Sequence, residues 1–288
     1  MPLYVVPTPI GNLEDITYRA IRVLREADLI ACEDTRRTRH LLHHYGITTP
    51  TVSYHEHNER DRTRDLLQRL RSGLSVALVS DAGTPLISDP GAHLVQAALA
   101  EGLPVTALPG ACAAVTALSA SGLPTEGFRF VGFPPAKANA RRMALEALAD
   151  EPVTLVFYEA PHRLQTFLRD AQVVLGERPA VAAREITKLH ETYVRGTLTD
   201  ILAHFEATPP RGELVLLIAG KTAEALPPPS EAALMTEVAR LVAQEGLSAM
   251  EAVKQTARRY GLPRRQVYQQ WLRRSDRPSA EGERGTGH

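Results

Sequence analysis

The sequence predicts an α/β protein of two successive α/β domains followed by a small helical domain. Three observations carry that prediction. Short apolar runs of strand length alternate with amphipathic helical stretches from residue 3 onward. The composition turns linker-like at Gly122-Leu123-Pro124-Thr125-Glu126-Gly127, after which strands and helices resume. Three further helical segments follow the prolines at 227–229. The expected domains are 1–121, 122–222 and 230–275, with a tail at 276–288.

Taken in order, residues 3–6 read as the first strand and 7–15 as the loop after it. Thr17 caps a helix whose apolar positions Ala20, Ile21, Val23, Leu24 and Ala27 recur at helical spacing. Residues 28–32 are a second strand, followed by polar Glu33, Asp34, Thr35, Arg36 and Arg37, which is the βα repeat of a parallel sheet. An amphipathic helix at 58–71 carries Leu66, Leu67 and Leu70, and 74–79 is an apolar run suited to a buried parallel strand. A helix at 92–99 and a strand at 104–108 lead into Pro109-Gly110-Ala111-Cys112-Ala113-Ala114, where small residues let a helix amino terminus approach a ligand.

In the second domain, 128–132, 153–158, 180–183, 192–194 and 214–218 are expected strands, and 138–149, 162–175 and 198–205 expected helices. Residues 221–229 read as a stiff proline linker. The last helices are expected at 230–244, 248–259 and 263–273, with Ser248 and Glu251 forming a capping box and Pro263 in the first turn of the third. From Ser275 the chain is Gly, Pro, Ser and charge, which predicts disorder.

Hydrophobic residues make up 44% of the chain, ample for a buried core. The 33 basic residues balance the 33 acidic ones, so the totals neither favour nor exclude nucleic acid, and the charge has to be mapped along the chain. Cys32 and Cys112 form neither a disulfide framework nor a metal-ligand pattern, and no metal is expected. No stretch approaches the roughly 20 apolar residues of a membrane span, and the first strand begins too early for a signal peptide, so a cytoplasmic protein is expected.

The stretch between the strand at 74–79 and the helix at 92–99 concentrates special residues: Ser80-Asp81-Ala82-Gly83-Thr84-Pro85-Leu86-Ile87-Ser88-Asp89-Pro90-Gly91. Two glycines and two prolines fix its shape, while Ser80, Asp81, Thr84, Ser88 and Asp89 supply oxygens that a plain connector does not need. A rigid turn capping the next helix explains an isolated Asp-Pro-Gly; this density of residues points instead to a small-molecule site at the carboxyl end of a parallel strand. The first loop lacks both G-x-G-x-x-G and the P-loop pattern, which disfavours a dinucleotide-binding protein or an NTPase.

This loop, together with Pro7-Thr8-Pro9-Ile10-Gly11-Asn12-Leu13-Glu14-Asp15-Ile16-Thr17, Cys32-Glu33-Asp34-Thr35-Arg36, Leu108-Pro109-Gly110-Ala111 and Phe157-Tyr158-Glu159-Ala160-Pro161-His162-Arg163, resembles the ribosomal RNA small subunit methyltransferase I family of the tetrapyrrole methylase superfamily. The resemblance runs in order over about residues 3–275. It implies S-adenosylmethionine held in a cleft between the two α/β domains and 2′-O-methylation of a cytidine ribose in small-subunit (16S) ribosomal RNA. The partner it implies is that RNA or the assembled small subunit, and it also implies a homodimer. Carried over residue by residue, cofactor contacts fall on Ile10, Gly83, Thr84, Ile87, Pro109, Gly110 and Ala111 from the first domain and Tyr158, Ala183 and Glu213 from the second. Superfamily relatives acting on tetrapyrroles carry a Gly-Pro-Gly-Asp-Pro type first loop; Pro9-Ile10-Gly11-Asn12-Leu13 here favours the RNA branch.

A sulfonium methyl is already activated, so such an enzyme mainly aligns a nucleophile and excludes water. A ribose hydroxyl is weakly acidic and gains from a base or a cationic neighbour. Asp34, Glu159, Glu185, Lys188 and His190 are the candidates in polar loops, each against the alternative of a salt bridge or cap; of these, Glu185, Lys188 and Asp34 are carried forward as catalytic. Arg36 and Arg37 follow the second strand, and residues 254–274 hold seven basic residues, Lys254, Arg258, Arg259, Arg264, Arg265, Arg273 and Arg274, with no acid. Val267 with Trp271 and Tyr268 with Leu272 are expected to pack the last helix and leave its arginines outward for RNA phosphates; Arg36, Arg37, Arg258, Arg259, Arg264 and Arg265 are the expected RNA contacts. Two rival functions remain open at this point. One is a methyltransferase acting on a tetrapyrrole or other small molecule, and the other is a non-catalytic, metabolite-sensing nucleic-acid-binding regulator.

Overall fold

The computed structural model describes residues 2–221 and 230–275, which fall into two compact units, 1–221 and 222–288. Most of the expected proline linker and the expected disordered tail lie outside the described residues.

The first part of the larger unit is a parallel sheet of β1 (Leu3–Val5), β2 (Leu29–Cys32), β3 (Thr51–Ser53), β4 (Val76–Val79) and β5 (Val105–Ala107), in the order β3-β2-β4-β1-β5. Between the strands run α1 (Tyr18–Glu26), α2 (Thr35–His44), α3 (Glu59–Arg71) and α4 (Ala92–Ala100). Successive strand residues point to opposite faces: Ile30, Cys32, Ala77 and Val79 pack with α1 and α2, while Leu29, Ala31, Val76 and Leu78 pack with α3 and α4. Helix α1 starts where expected, with the Thr17 hydroxyl accepting from Ala20 N at 3.0 Å.

The chain leaves β1 toward β2 on one face and leaves β4 toward β5 on the other, although β1 and β4 are adjacent. A crevice therefore opens between the carboxyl ends of β1 and β4, the place where open α/β sheets bind ligands. The loops leaving these two strands are tied across it by paired bonds, Thr8 N to Gly83 O and Gly83 N to Thr8 O, both 2.9 Å.

The second sheet, β6 (Phe128–Gly132), β7 (Thr154–Glu159), β8 (Pro179–Arg184), β9 (Thr192–Thr197) and β10 (Leu214–Ile218), has the order β6-β7-β10-β8-β9. It does not repeat the parallel pattern of the first. Only β6 and β7 are parallel; the other three pairings are antiparallel. One face carries α6 (Ala138–Glu146), α7 (Pro161–Leu175) and α8 (Leu198–Ala207) over Leu155, Phe157, Ala182 and Leu216. The other face is covered by α5 (Ala113–Ser121), whose Ala114, Ala117 and Leu118 pack on Val156, Val181, Ala183, Val215 and Leu217. Arg195 of β9 holds the end of α5 by donating to the carbonyls of Ala120 (2.6 Å) and Ser121 (3.3 Å).

The smaller unit is three helices, α9 (Glu231–Glu245), α10 (Ala249–Arg259) and α11 (Arg264–Ser275), around Leu234, Met235, Val238, Leu241, Val253, Ala257 and Val267. Two expectations are corrected here. Tyr268 and Leu272 do not pack the last helix; they are exposed, and Val267 with Trp271 forms its apolar side. Only half of the capping box forms, because Ser248 Oγ accepts from Glu251 N (3.3 Å) while the Glu251 carboxylate pairs with Lys254 at 3.2 Å. Among the described residues no helix is long and apolar enough to cross a membrane.

Candidate active site

A cavity of about 370 Å³ lies at the crevice, within the range of roughly 300–1,000 Å³ usual for small-molecule pockets. Its walls come from three places. The first sheet contributes Ile10 from the loop after β1, Gly83, Thr84, Ile87, Ser88 and Asp89 from the loop after β4, and Cys112 and Ala113 at the start of α5. The second sheet contributes Phe133 after β6 and Tyr158 with Glu159 at the end of β7. Ile186, after β8, and Gly212 to Val215, entering β10, close the third side.

Among the described residues, the four non-glycine positions with positive φ are Leu86 (73°), Ser88 (66°), Glu185 (53°) and Thr187 (66°). All four lie in the loops that follow β4 and β8 beside this cavity. Each such conformation costs of order 1–3 kcal/mol and persists only where the surroundings over-determine it, which is characteristic of ligand sites. Gly83 also sits at positive φ (82°), and a Cβ there would stand 3.2 Å from Ile10 Cγ2.

The expected cofactor residues separate into two groups. Ile10, Gly83, Thr84, Ile87, Tyr158 and Glu213 line the cavity, whereas Pro109, Gly110, Ala111 and Ala183 do not. Ala111 instead holds Thr84, whose hydroxyl donates to its carbonyl at 2.9 Å. Gly110 lets its loop approach Pro7, since a Cβ would stand 2.5 Å from the Pro7 ring. Ala183 is buried under α5 in the second sheet. Tyr158 bridges to α5, its hydroxyl accepting from Ala114 N at 3.2 Å, and burial pushes the phenol well above its usual range.

The carboxylates expected to be catalytic stand in ion pairs. Asp34 caps α2 by accepting from Arg36 N (2.8 Å) and pairs with the Arg36 guanidinium (2.9 Å), which together hold its carboxyl at about 2. Glu185 accepts from Glu213 N (2.9 Å) and from Lys188 Nζ (3.0 Å), and the backbone bond first, then the ammonium, depresses its pKa. Lys188 also reaches Glu213 at 3.1 Å, so the pair adjoins the cavity through Glu213 without lining it. The Lys188 stem lies over Gly11, where a Cβ would approach its Cγ to 2.5 Å, and Thr187 Oγ1 donates to the Asp15 carboxylate. These contacts clasp the loop after β8 to the loop after β1.

Asp89, Glu159 and Glu213 are the carboxyl-bearing residues that line the cavity, and Asp89 is the one in the loop after β4. Burial raises its pKa to about 6, against a bond from Ser80 that lowers it, and the neighbouring Glu33 and Asp81 carboxylates add to the rise. Asp89 was legible only as one of the oxygens in the loop after β4. Glu159 lines the cavity at the end of β7, but its side chain is buried and lies 3.2 Å from Arg163 Nε. Of the expected RNA contacts, Arg36 and Arg37 are exposed and paired with Asp34 and Asp81 (3.3 Å). Arg259 is paired with Glu237 at 2.5 Å, whereas Arg258, Arg264 and Arg265 are exposed.

Residues 2–202 match the family model of the tetrapyrrole (corrin/porphyrin) methylases. The chain is 50% identical over 268 residues to the ribosomal RNA small subunit methyltransferase I of Synechocystis sp., covering 93% of this chain and 96% of that one. It is 48% identical to the protein of the same name from Pseudomonas aeruginosa, covering 94% and 97%. Among solved structures, a uroporphyrin-III C-methyl transferase from Thermus thermophilus complexed with S-adenyl homocysteine aligns with a TM-score of 0.53 at 23% identity, over 75% of this chain and 97% of that one. A diphthine synthase aligns with a TM-score of 0.58 at 15% identity, over 78% and 92%. These structural likenesses concern the fold.

Proposed function

We propose that this chain, which belongs to the ribosomal RNA small subunit methyltransferase I family of the tetrapyrrole (corrin/porphyrin) methylases, uses S-adenosylmethionine to methylate the 2′-hydroxyl of a cytidine ribose in small-subunit ribosomal RNA. The observation that carries the reading is the cavity at the crevice of the first sheet, built from strained loops, in a chain 48–50% identical to these relatives along almost their whole length.

The residues fit a nucleoside-bearing sulfonium compound. Gly83 leaves the space a side chain would fill, the backbone of the loop after β4 is fixed against that of the first loop, and apolar Ile10, Ile87 and Tyr158 alternate with polar Thr84, Asp89 and Glu213. When bound, S-adenosylmethionine supplies a methyl group that needs no further activation. The remaining work falls to the protein. In this reading Ile10, Gly83, Thr84, Ile87, Tyr158 and Glu213 hold the cofactor, with Pro109, Gly110, Ala111 and Ala183 positioning them. Asp89, at about 6, is ionised at neutral pH yet basic enough to take the ribose hydroxyl proton as the new C–O bond forms. Glu185 and Lys188 act by fixing the Glu213 side of the wall, and Asp34 by starting α2.

Residues 1–121 and 122–222 are in this reading the two walls of the cleft, and 230–275 a module that contacts RNA phosphates through Arg258, Arg264 and Arg265. The RNA, free or in the assembled small subunit, is the proposed partner; a homodimer and a cytoplasmic location belong to the same proposal. Incubating the protein with labelled S-adenosylmethionine and purified small or large ribosomal subunits tests it: label should enter the RNA of small subunits, and label confined to large subunits or absent from both would refute it.

A further inference from the structure

Phe133 is an aromatic ring held in the open. It lines the cavity yet is 57% exposed, and among the described residues it belongs to none of the core clusters. Among the described residues its ring neighbour is Tyr158, a T-shaped contact at 5.6 Å between centroids and 63° between planes. On the opposite loop Ile87, also on the cavity wall, is 36% exposed. The two loops touch next to these residues, since a Cβ on Gly132 would stand 3.0 Å from Ser88 Oγ.

An exposed ring contributes binding energy only if its loop is already ordered. The three residues after Phe133 are tied down by two arginines, Arg141 buried and Arg163 partly buried. Arg163 donates to Pro134 O at 2.5 Å, and Arg141 donates to Ala136 O at 2.9 Å and approaches Pro135 O at 3.5 Å. Arg141 is itself locked by Asp170 at 2.5 Å with both side chains 5% exposed, and Arg163 is backed by Glu159. Unpairing such a buried ion pair is strongly unfavourable, so the carbonyl anchors are fixed. Gly132, at φ 75°, makes the turn that presents the ring. Cavity, exposure and anchoring together describe a rigid stacking platform beside the carboxylate of Asp89.

We infer that Phe133 stacks on a nucleobase of the substrate RNA and so orients the nucleotide whose ribose is methylated. Base stacking on an aromatic side chain requires no particular base and suits an unpaired nucleotide. The substrate is favoured over the cofactor's adenine because the ring is more than half exposed, whereas Gly83 is buried and Thr84 and Tyr158 are partly buried. The inference rests on the RNA-methylating reading above and adds a residue to it.

The test uses the full-length protein with Phe133→Ala, Phe133→Leu and Phe133→Tyr. Because the ring is outside every core cluster, thermal melts should match the wild type. S-adenosylhomocysteine affinity, measured by calorimetry, should be unchanged in all three. For small ribosomal subunits, KM in the methyl-transfer assay should rise about tenfold or more for Ala and Leu and return to within about twofold for Tyr, since stacked bases lose of this order on removal of the ring. A weakened S-adenosylhomocysteine affinity would assign the ring to the cofactor and overturn the inference, as would a Leu variant that performs like wild type. If wild-type protein binds S-adenosylhomocysteine but methylates no RNA, the functional reading fails by itself; equal binding of a small-subunit RNA fragment by wild type and Phe133→Ala then sinks the platform separately.

Discussion

Replacing Gly83 by alanine should weaken cofactor binding beyond what backbone strain accounts for, and Gly122 provides the comparison. The two glycines have nearly the same φ, 82° and 80°. Alanine in the left-handed region costs about 1–2 kcal/mol. For a unit the size of residues 1–221, that is a loss of roughly 2–8 °C in Tm. The gain from a stiffer unfolded chain is common to both variants and cancels between them. What differs is the space. At Gly122 a Cβ meets nothing within 4 Å, whereas at Gly83 it meets Ile10 Cγ2 at 3.2 Å and Ala111 O at 3.7 Å. Ile10 lines the cavity, so it must give by a few tenths of an ångström against the bound ligand. Overpacking of this kind costs about 1–3 kcal/mol, which corresponds to roughly 5- to 150-fold in affinity. Calorimetric titration with S-adenosylhomocysteine and thermal melts of Gly83→Ala and Gly122→Ala should therefore give similar melting losses but weaker binding only for Gly83→Ala. Wild-type affinity in Gly83→Ala, with the melting loss present, would remove Gly83 and Ile10 from the binding wall.

Three further outcomes follow from the charges. With Asp89 as the proton acceptor at about 6, methyl transfer should rise with pH through that value and level off above it, and Asp89→Asn should lower turnover by about 10²–10⁴ and flatten the profile; an unchanged rising limb in the variant would place the base elsewhere. The same raised pKa means the folded state binds more protons than the unfolded one between 3.8 and about 6, so the Asp89 contribution to stability falls as pH rises through that window, and melts of Asp89→Asn should lack this fall. Neutralising Arg258, Arg264 and Arg265 together should leave S-adenosylhomocysteine affinity intact and lower the slope of log affinity for RNA against log salt by about 0.7 per lost phosphate contact; an identical slope would exclude these arginines from the RNA.

The site was most legible where covalent constraint had left its mark in composition. The glycines and prolines of the loop after β4 announced a shaped turn, and Ile10, Gly83, Thr84 and Ile87 do line the cavity. Charge crowding after β8 signalled the Glu185–Lys188 pair, but spacing could not say that both groups would be spent on each other and on Glu213. The pKa of Asp89 was not legible because it depends on burial and on Glu33, brought close by folding. Helix α2 was missed because only Thr38 and Leu42 of its ten residues are buried, leaving too few apolar positions to set a period. Strand β3 was missed because it is three residues at the sheet edge, none of them fully buried. The antiparallel character of the second sheet rests on pairings such as Leu216 with Phe157 and Ala182, distant in sequence, which local patterning does not encode.

The central claim is that the cavity between the two sheets directs a methyl group onto a ribose oxygen of small-subunit RNA. Its most direct test is to label unmethylated small subunits with S-adenosylmethionine and this protein, digest the RNA to nucleosides and identify the labelled product by mass spectrometry. The account predicts 2′-O-methylcytidine from a single position, formed by wild type and strongly reduced with Asp89→Asn. Label on a base rather than a ribose, or no label in RNA alongside intact cofactor binding, would contradict it.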